Sequence, residues 1–337
     1  MLQPPTTRAV LLAAAAACAA PAALAVELNN GLADGQVGAV TLDVRDGGEF
    51  ASYMLAGRRV DDDAIVTTDL LFDYVPIVRV GNAGFELPTT TTGAAALNGD
   101  AVVSSGSFTG TTGATVNWTA STTLGTGDTL ASTTYRFETT GGALGDLSLF
   151  QYLDEDVFDV GDDIFFTRGG VDTDDLQLFT IDGASGLGVA QSGSVGPAGG
   201  LSNASFLGFA AREFDELQGG LADGSVAVSP AGNIDNAALP ATTSPLVEGT
   251  VFGPNDVVSA LGWSVDPSAT SATLIATLGG VPDVTEVPDL VPPVTPVDPV
   301  DPVDPVDPVN PPNPVPTPGA AAAGLLMLGG WAVRRRR

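Results

Sequence analysis

The chain contains no histidine, no lysine and a single cysteine in 337 residues. Histidine is the side chain that most often serves as a general base or metal ligand near neutral pH. Its absence excludes Ser-His-Asp and Cys-His nucleophilic catalysis. The one cysteine, Cys18, lies in an apolar run near the N-terminus, so nothing beyond residue 25 can form a disulfide, a thiolate metal site or a thiol nucleophile. Tryptophan and tyrosine are sparse, at 3 and 4 residues. Outside the tail they are Trp118, Trp263, Tyr53, Tyr74, Tyr135 and Tyr152, and they read as core residues or as a platform for stacking sugars. Positive charge is scarce as well. All 12 basic residues are arginines, and five of them sit at the two ends, which leaves seven against 40 acids in between. Such a surface repels nucleic acid and anionic membranes and attracts cations. No basic footprint for nucleic acid is present, and solubility is the simplest role for the acidic excess.

Residues 1–25 read as a secretory signal. Arg8 gives a weak positive start, residues 9–20 are apolar, and Ala23 and Ala25 frame a small-x-small cleavage site. The rival reading is a lipoprotein acylated at Cys18, although Ala15 stands where an aliphatic residue is usual.

Residues 281–318 hold 14 of the 25 prolines. That density excludes helix and sheet and favours polyproline II. Val-Asp-Pro occurs four times over residues 297–308. At three residues per turn this sets Asp298, Asp301, Asp304 and Asp307 along one edge, about 9 Å apart. The expectation is a stiff acidic stalk, with a ligand for a proline-binding module or a cation-binding strip as the alternatives. Residues 319–333 carry no charge and no proline. As a helix they reach about 22 Å, a minimal span of a hydrocarbon core roughly 30 Å thick. The four terminal arginines can snorkel and favour the cytoplasmic side, and Trp331 suits the interface. The reading is a short C-terminal transmembrane helix over 319–337, and the alternative is a buried terminal helix.

Pro316, Thr317 and Pro318, then the Gly/Ala/Leu segment, then Arg334, Arg335, Arg336 and Arg337, together resemble a PEP-CTERM sorting signal. The resemblance covers residues 315–337, with Thr317 where the family's motif carries Glu. It implies recognition by an exosortase-like membrane processing enzyme and initial anchoring in the inner membrane. It also implies delivery to the cell envelope, surface or extracellular space, with exopolysaccharide as a candidate partner. An unprocessed tail anchor is the alternative.

Residues 26–280 read as an all-β domain, a β-sandwich of many short antiparallel strands, with a candidate internal boundary near 190. Short runs of β-branched and apolar residues at 39–44, 65–72, 101–105 and 114–119 alternate between Gly/Asp/Asn turns. The clearest piece is a strand pair, 133–140 and 146–153, separated by Gly141 and Gly142. Both faces of the second strand are largely apolar, which places it between two layers. Residues 214–217 suggest one short helix, and the Gly/Ser/Ala-rich stretch 183–205 suggests a loop. The last strands fall around 257–265 and 272–278. Gly-Leu-Ala-Asp-Gly occurs at both 31–35 and 220–224, either as two related hairpins or as a coincidence of composition. The 44% apolar content is enough for a core in a domain of this size.

Nine carboxylates crowd into residues 154–175, with Arg168 the one cation among them. A hard cation such as Ca2+ takes six to eight oxygen ligands. Asp154, Asp156, Asp159, Asp162 and Asp163 are therefore the candidate ligands, and no other cofactor is expected. The spacing is not that of an EF-hand, because Phe158 occupies its third ligand position, and a solvated acidic loop is the simpler alternative. Paired carboxylates could also hydrolyse glycosides, but nothing in the spacing singles out a pair. No glycine-rich phosphate loop opens a helix. The sequence is read as an exported, non-enzymatic structural or adhesive protein. A carbohydrate-binding or carbohydrate-active module is the alternative.

Overall fold

The computed structural model describes residues 25–155, 158, 161–169, 176–193, 201–214 and 216–284. The signal through residue 24, the stalk from residue 285, the sorting tail, Asp156 and Asp159 lie outside the described residues. The stalk's expected start at 281 is too early, because Val281 ends a strand, the Pro282 carbonyl accepts from the Arg58 N–H at 2.7 Å and Val284 is buried. Among those described, no helix is long and apolar enough to cross a membrane.

The described chain is predominantly β and forms two sheets of ten strands each. The first sheet runs Val26–Asn29, Val40–Val44, Phe50–Arg58, Leu71–Val80, Leu147–Glu155, Val257–Val265, Ala204–Glu213 and Asn233–Ile234, with Ile65–Asp69 and Ala83–Glu86 attached to the third and fourth strands. The second runs Ala241–Thr242, Val251–Asn255, Asp163–Arg168, Gln177–Asp182, Gly188–Gly193, Ser271–Val281, Leu130–Thr139, Thr115–Leu124, Ala101–Thr109 and Thr91–Asn98. Pairing is antiparallel apart from the short contact of Ala204–Glu213 with Asn233–Ile234. Both sheets combine strands from either side of residue 190.

The sheets face each other across a core that falls into two buried clusters. Leu147, Leu149, Leu261 and Trp263 of the first sheet pack with Trp118, Tyr135, Phe137, Phe165 and Leu274 of the second. Burial of each such side chain is worth about 1.5–3 kcal/mol. Tyr135 donates a 2.8 Å hydrogen bond to Oε1 of Gln151, a polar contact between sheets deep in this core. These two residues belong to the pair 133–140 and 146–153, but the strands do not pair with each other. Leu130–Thr139 lies in the second sheet and Leu147–Glu155 in the first, so the intervening glycine turn carries the chain from one layer to the other. The alternation of apolar residues is the same for a hairpin and for this crossover; the two differ only in which strand supplies the hydrogen bonds.

Leu147–Glu155 is buried at all nine positions, central in its sheet as expected. Its outer face is covered by a helix, Leu217–Asp223, whose Leu217 and Leu221 pack on Val75, Ile77 and Phe150. The helix starts where the expected one, 214–217, ends. Phe214 is held in a turn by its N–H, which donates to the Asp256 carbonyl at 3.1 Å. The helix stops at Gly224, in the left-handed conformation at φ 79°, as is common for a C-terminal glycine.

The stretch 183–205 contains a strand, Gly188–Gly193, in the interior of the second sheet between Gln177–Asp182 and Ser271–Val281. Small residues are required there because the packing is close. A Cβ at Gly193 would lie 2.1 Å from Cζ2 of Trp263 on the facing sheet. The glycines that suggested a loop are the residues that admit the indole.

Candidate metal centre

Asp163–Arg168 and Gln177–Asp182 pair in a register that sets Asp163 directly opposite Asp182. Along the same faces lie Phe165 and Leu178, both in the core between the sheets. Period-two alternation therefore turns both carboxylates inward. Asp163 is 0% exposed and Asp182 1%. On the first sheet, Leu149, Gln151 and Leu153 point to the interior, and the same parity turns Glu155 inward at 1% exposure. The Glu155 carboxyl is within hydrogen-bonding reach of Asp163. Asp162, half-buried, completes the group, and one carboxylate oxygen each from Asp162, Asp163 and Asp182 lie within 4.8 Å of one another. The two sheets thus each contribute acids to one nest at the end of the sandwich.

A tight turn holds the second-sheet side in place. The Ser185 N–H donates to Oδ1 of Asp182, and the Gly186 N–H donates to the Asp182 carbonyl at 2.9 Å. The Gly183 N–H donates to the Asp162 carbonyl at 3.1 Å, and a Cβ on Gly183 would stand 2.5 Å from that same oxygen. Glycine at 183 lets the two acidic segments touch.

The electrostatics are those of a site short of positive charge. Burial first, and then the charges of Asp182, Asp162 and Asp256, push the Asp163 carboxyl up to about 8, against the hydrogen bond with Glu155, which favours its charged form. Apart from the Glu155 carboxyl, no hydrogen-bond donor among the described residues reaches either oxygen of Asp163. Arg59 lies within electrostatic reach of Asp182, but its own hydrogen bonds go to Asp61. On the same inner stripe, two residues before Asp182, the buried Thr180 hydroxyl has no partner. Like charges set directly opposite on a sheet are destabilising, and a buried carboxylate is tolerated when it is protonated, paired or bound to a metal.

Of the acids that the sequence put forward, the structure brings Asp162 and Asp163 together. Asp154 lies on the other face of its strand, where it pairs in register with Asp73 and meets the Tyr152 hydroxyl at 3.5 Å. Burial, and then Glu49 and Glu86, push Asp73 up to about 6. Asp182 was absent from the candidate set, and Glu155 was counted in the acidic run without being chosen. The signal for both is parity: each continues an inward stripe by one more step, which the density of acids along the chain does not show. A separate polar depression of about 390 Å³, lined in part by Glu27, Asn29, Asp34, Met54 and Thr67, lies on the first sheet.

No family model and no curated relative matches the sequence. Among solved structures, a bacterial glucoamylase complexed with acarbose is similar at 9% identity and TM-score 0.41, over 74% of this chain and 31% of that one. A heparinase III with methylated lysines is similar at 8% identity and TM-score 0.32, over 79% of this chain and 37% of that one. The chain spans about a third of the length of either, and at these values the likeness says nothing of substrate or activity.

Proposed function

We infer that the chain is an exported, non-catalytic protein of the bacterial cell envelope or extracellular matrix, structural or adhesive, sorted through a PEP-CTERM-like tail. One observation carries this reading: the order of parts after the β body. A proline-rich acidic segment leads to Pro316-Thr317-Pro318, then to an uncharged apolar segment, then to Arg334–Arg337. Such an order suits a spacer, a membrane stop and a cytoplasmic anchor. The apolar N-terminal run ending in Ala23 and Ala25 suits export. A stalk over residues 285–318 in polyproline II would reach up to about 105 Å, far enough to hold a sandwich clear of the membrane surface. The lack of histidine and the strongly acidic surface fit a role in cohesion and solubility better than acid–base catalysis.

The test is fractionation and intact-mass spectrometry of the full-length chain produced with and without an exosortase. The expected product starts at Val26 and is accessible to protease from outside the inner membrane. It keeps its arginine tail in the membrane fraction without the processing enzyme and loses it when the enzyme is present. A product recovered from the cytoplasm with both ends intact overturns the reading. A glycan array on the same protein addresses adhesion: selective retention of one polysaccharide class identifies the partner, and turnover of any polysaccharide overturns the non-catalytic assignment.

A further inference from the structure

We propose that Asp163 and Asp182 of one sheet, Glu155 of the other and the adjoining Asp162 form a Ca2+ site that ties the two sheets together. The inference stands on geometry. Four carboxylates from three strand ends converge, three of them at 0–1% exposure, and oxygens of Asp162, Asp163 and Asp182 lie within 4.8 Å of one another. Crowding of acids alone indicates no ligand. The second observation is Asp163 itself: it is fully buried and aimed into the nest, and among the described residues the only group in hydrogen-bonding reach of its oxygens is another carboxyl, Glu155, with no amide, alcohol or cation to balance the charge. Its neighbours there are other carboxyls, Glu155 within hydrogen-bonding reach and Asp182 across the strand pair. A cation is the group that would satisfy all of them at once.

The donor set selects the ion. All four ligands are carboxylates, and the chain offers no histidine and no cysteine beyond residue 18, so a soft or imidazole-seeking metal has nothing to hold. Mg2+ demands a small octahedral shell and gives up its water reluctantly, whereas Ca2+ accepts several carboxylates, some bidentate, at about 2.3–2.6 Å. Three of the four acids are buried, a setting that disfavours an ion retaining several waters and favours Ca2+. The ligands come from both layers, so the ion would act as a cross-link in a body without disulfides.

The experiment is a pair of measurements at pH 8 on the full-length chain, first stripped of divalent ions with EDTA and then exchanged out of the chelator. The measurements are calorimetric titration with CaCl2 and thermal melting with and without 2 mM CaCl2. The expected result is one saturable site per chain and a melting temperature several degrees higher in Ca2+, with a smaller response to equal Mg2+. Asp163→Asn and Asp182→Asn should each abolish the response. Because Asp163→Asn relieves repulsion, it should melt no lower than wild type in EDTA, so loss of its Ca2+ response cannot be ascribed to misfolding. Asp34→Asn, on the separate depression of the first sheet, should keep the full response. A melting temperature indifferent to Ca2+ overturns the proposal, and so does a Ca2+ response that persists in the Asp163→Asn/Asp182→Asn double variant, which would place the ion elsewhere on the acidic chain.

Discussion

Raising the pH from 5 to 9 in the presence of EDTA should destabilise the β body, and the direction follows from the Asp163 carboxyl. An unfolded aspartate titrates near 4, while burial and its acidic neighbours push the folded group up to about 8. Between those values the folded state binds a proton that the unfolded state has released. Stability therefore falls as pH rises, and the fall ends near pH 8. At ~1.4 kcal/mol per pH unit over the roughly three units from pH 5 to pH 8, the upper bound is on the order of 4 kcal/mol. For a body of this size 1 kcal/mol moves the melting temperature by ~2–4 °C, so a drop of up to about 10–15 °C is expected between pH 5 and pH 9. The groups facing Asp163 are Glu155 from the opposite sheet, Asp182 from the neighbouring strand, Asp162 beside it in sequence, and Asp256. Arg59 reaches Asp182 and is already engaged by Asp61.

Asp73 adds to the fall only in its lower part, because its raised value is about 6 and its partial exposure screens it. The window from pH 6 to pH 8 therefore reports mainly on Asp163. The assay is thermal melting by circular dichroism at constant ionic strength with EDTA throughout, on wild type and Asp163→Asn. Wild type should take most of its drop in melting temperature in that window, and Asp163→Asn should be nearly flat across it. Equal melting temperatures for wild type at pH 6 and pH 8.5, or a slope unchanged by Asp163→Asn, would refute the assignment of a buried, proton-holding carboxyl.

Two further predictions concern the frame that holds the nest. Asn30, 1% exposed, donates from Nδ2 to the Gly38 and Asp128 carbonyls at 2.7 and 2.8 Å and accepts at Oδ1 from the Val40 N–H at 3.1 Å. Asn30→Ala strands those buried backbone groups and should cost about 2–3 kcal/mol, read as a lower urea midpoint at unchanged m-value. Gly193→Ala puts a Cβ 2.1 Å from the Trp263 ring, and overpacking of this kind should cost about 1–3 kcal/mol. Its near-ultraviolet circular dichroism should change with the displaced indole, whereas an unchanged spectrum and melting temperature would mean that the sheets part there without resistance.

The layering of the body was legible in the sequence because a half-buried strand alternates every second residue. The apolar parity of 133–140 and 146–153 survives intact in Tyr135, Phe137, Leu147 and Leu149, all within the core. Which strands pair was not legible, since pairing depends on long-range register that parity does not encode. The repeated Gly-Leu-Ala-Asp-Gly makes the same point about local sequence. At 220–224 it closes a helix, because Leu217 and Leu221 can bury on the first sheet. At 31–35 it lies outside any helix or strand, in the segment that Asn30 fastens to the Gly38 and Asp128 carbonyls. The candidate site was half legible. Acid density pointed to the right region, and Asp162 and Asp163 do converge, but a count along the chain weighs Asp154 and Glu155 equally. The pleat sends them to opposite faces, and only the register with Asp182 reveals which face holds the cluster.

The absence of cysteine from the body bears on why such a nest would persist. Proteins exported to oxidising surroundings commonly add stability through disulfides; this chain has no thiol beyond residue 25, so under the proposed export it would have no such means. A ligand that binds only the folded state stabilises it by RT ln(1 + [L]/Kd), about 2.7 kcal/mol at a hundredfold excess over Kd. Extracellular Ca2+ modules are tuned to roughly 0.1–1 mM. A carboxylate nest is therefore destabilising where divalent ions are scarce and stabilising where they are abundant, which would make the body firmest only after it leaves the cell. That coupling joins two readings resting on separate observations, the tail for export and the buried carboxylates for the ion. A Ca2+ response in a protein found to stay in the cytoplasm would break the coupling while leaving the ion site standing.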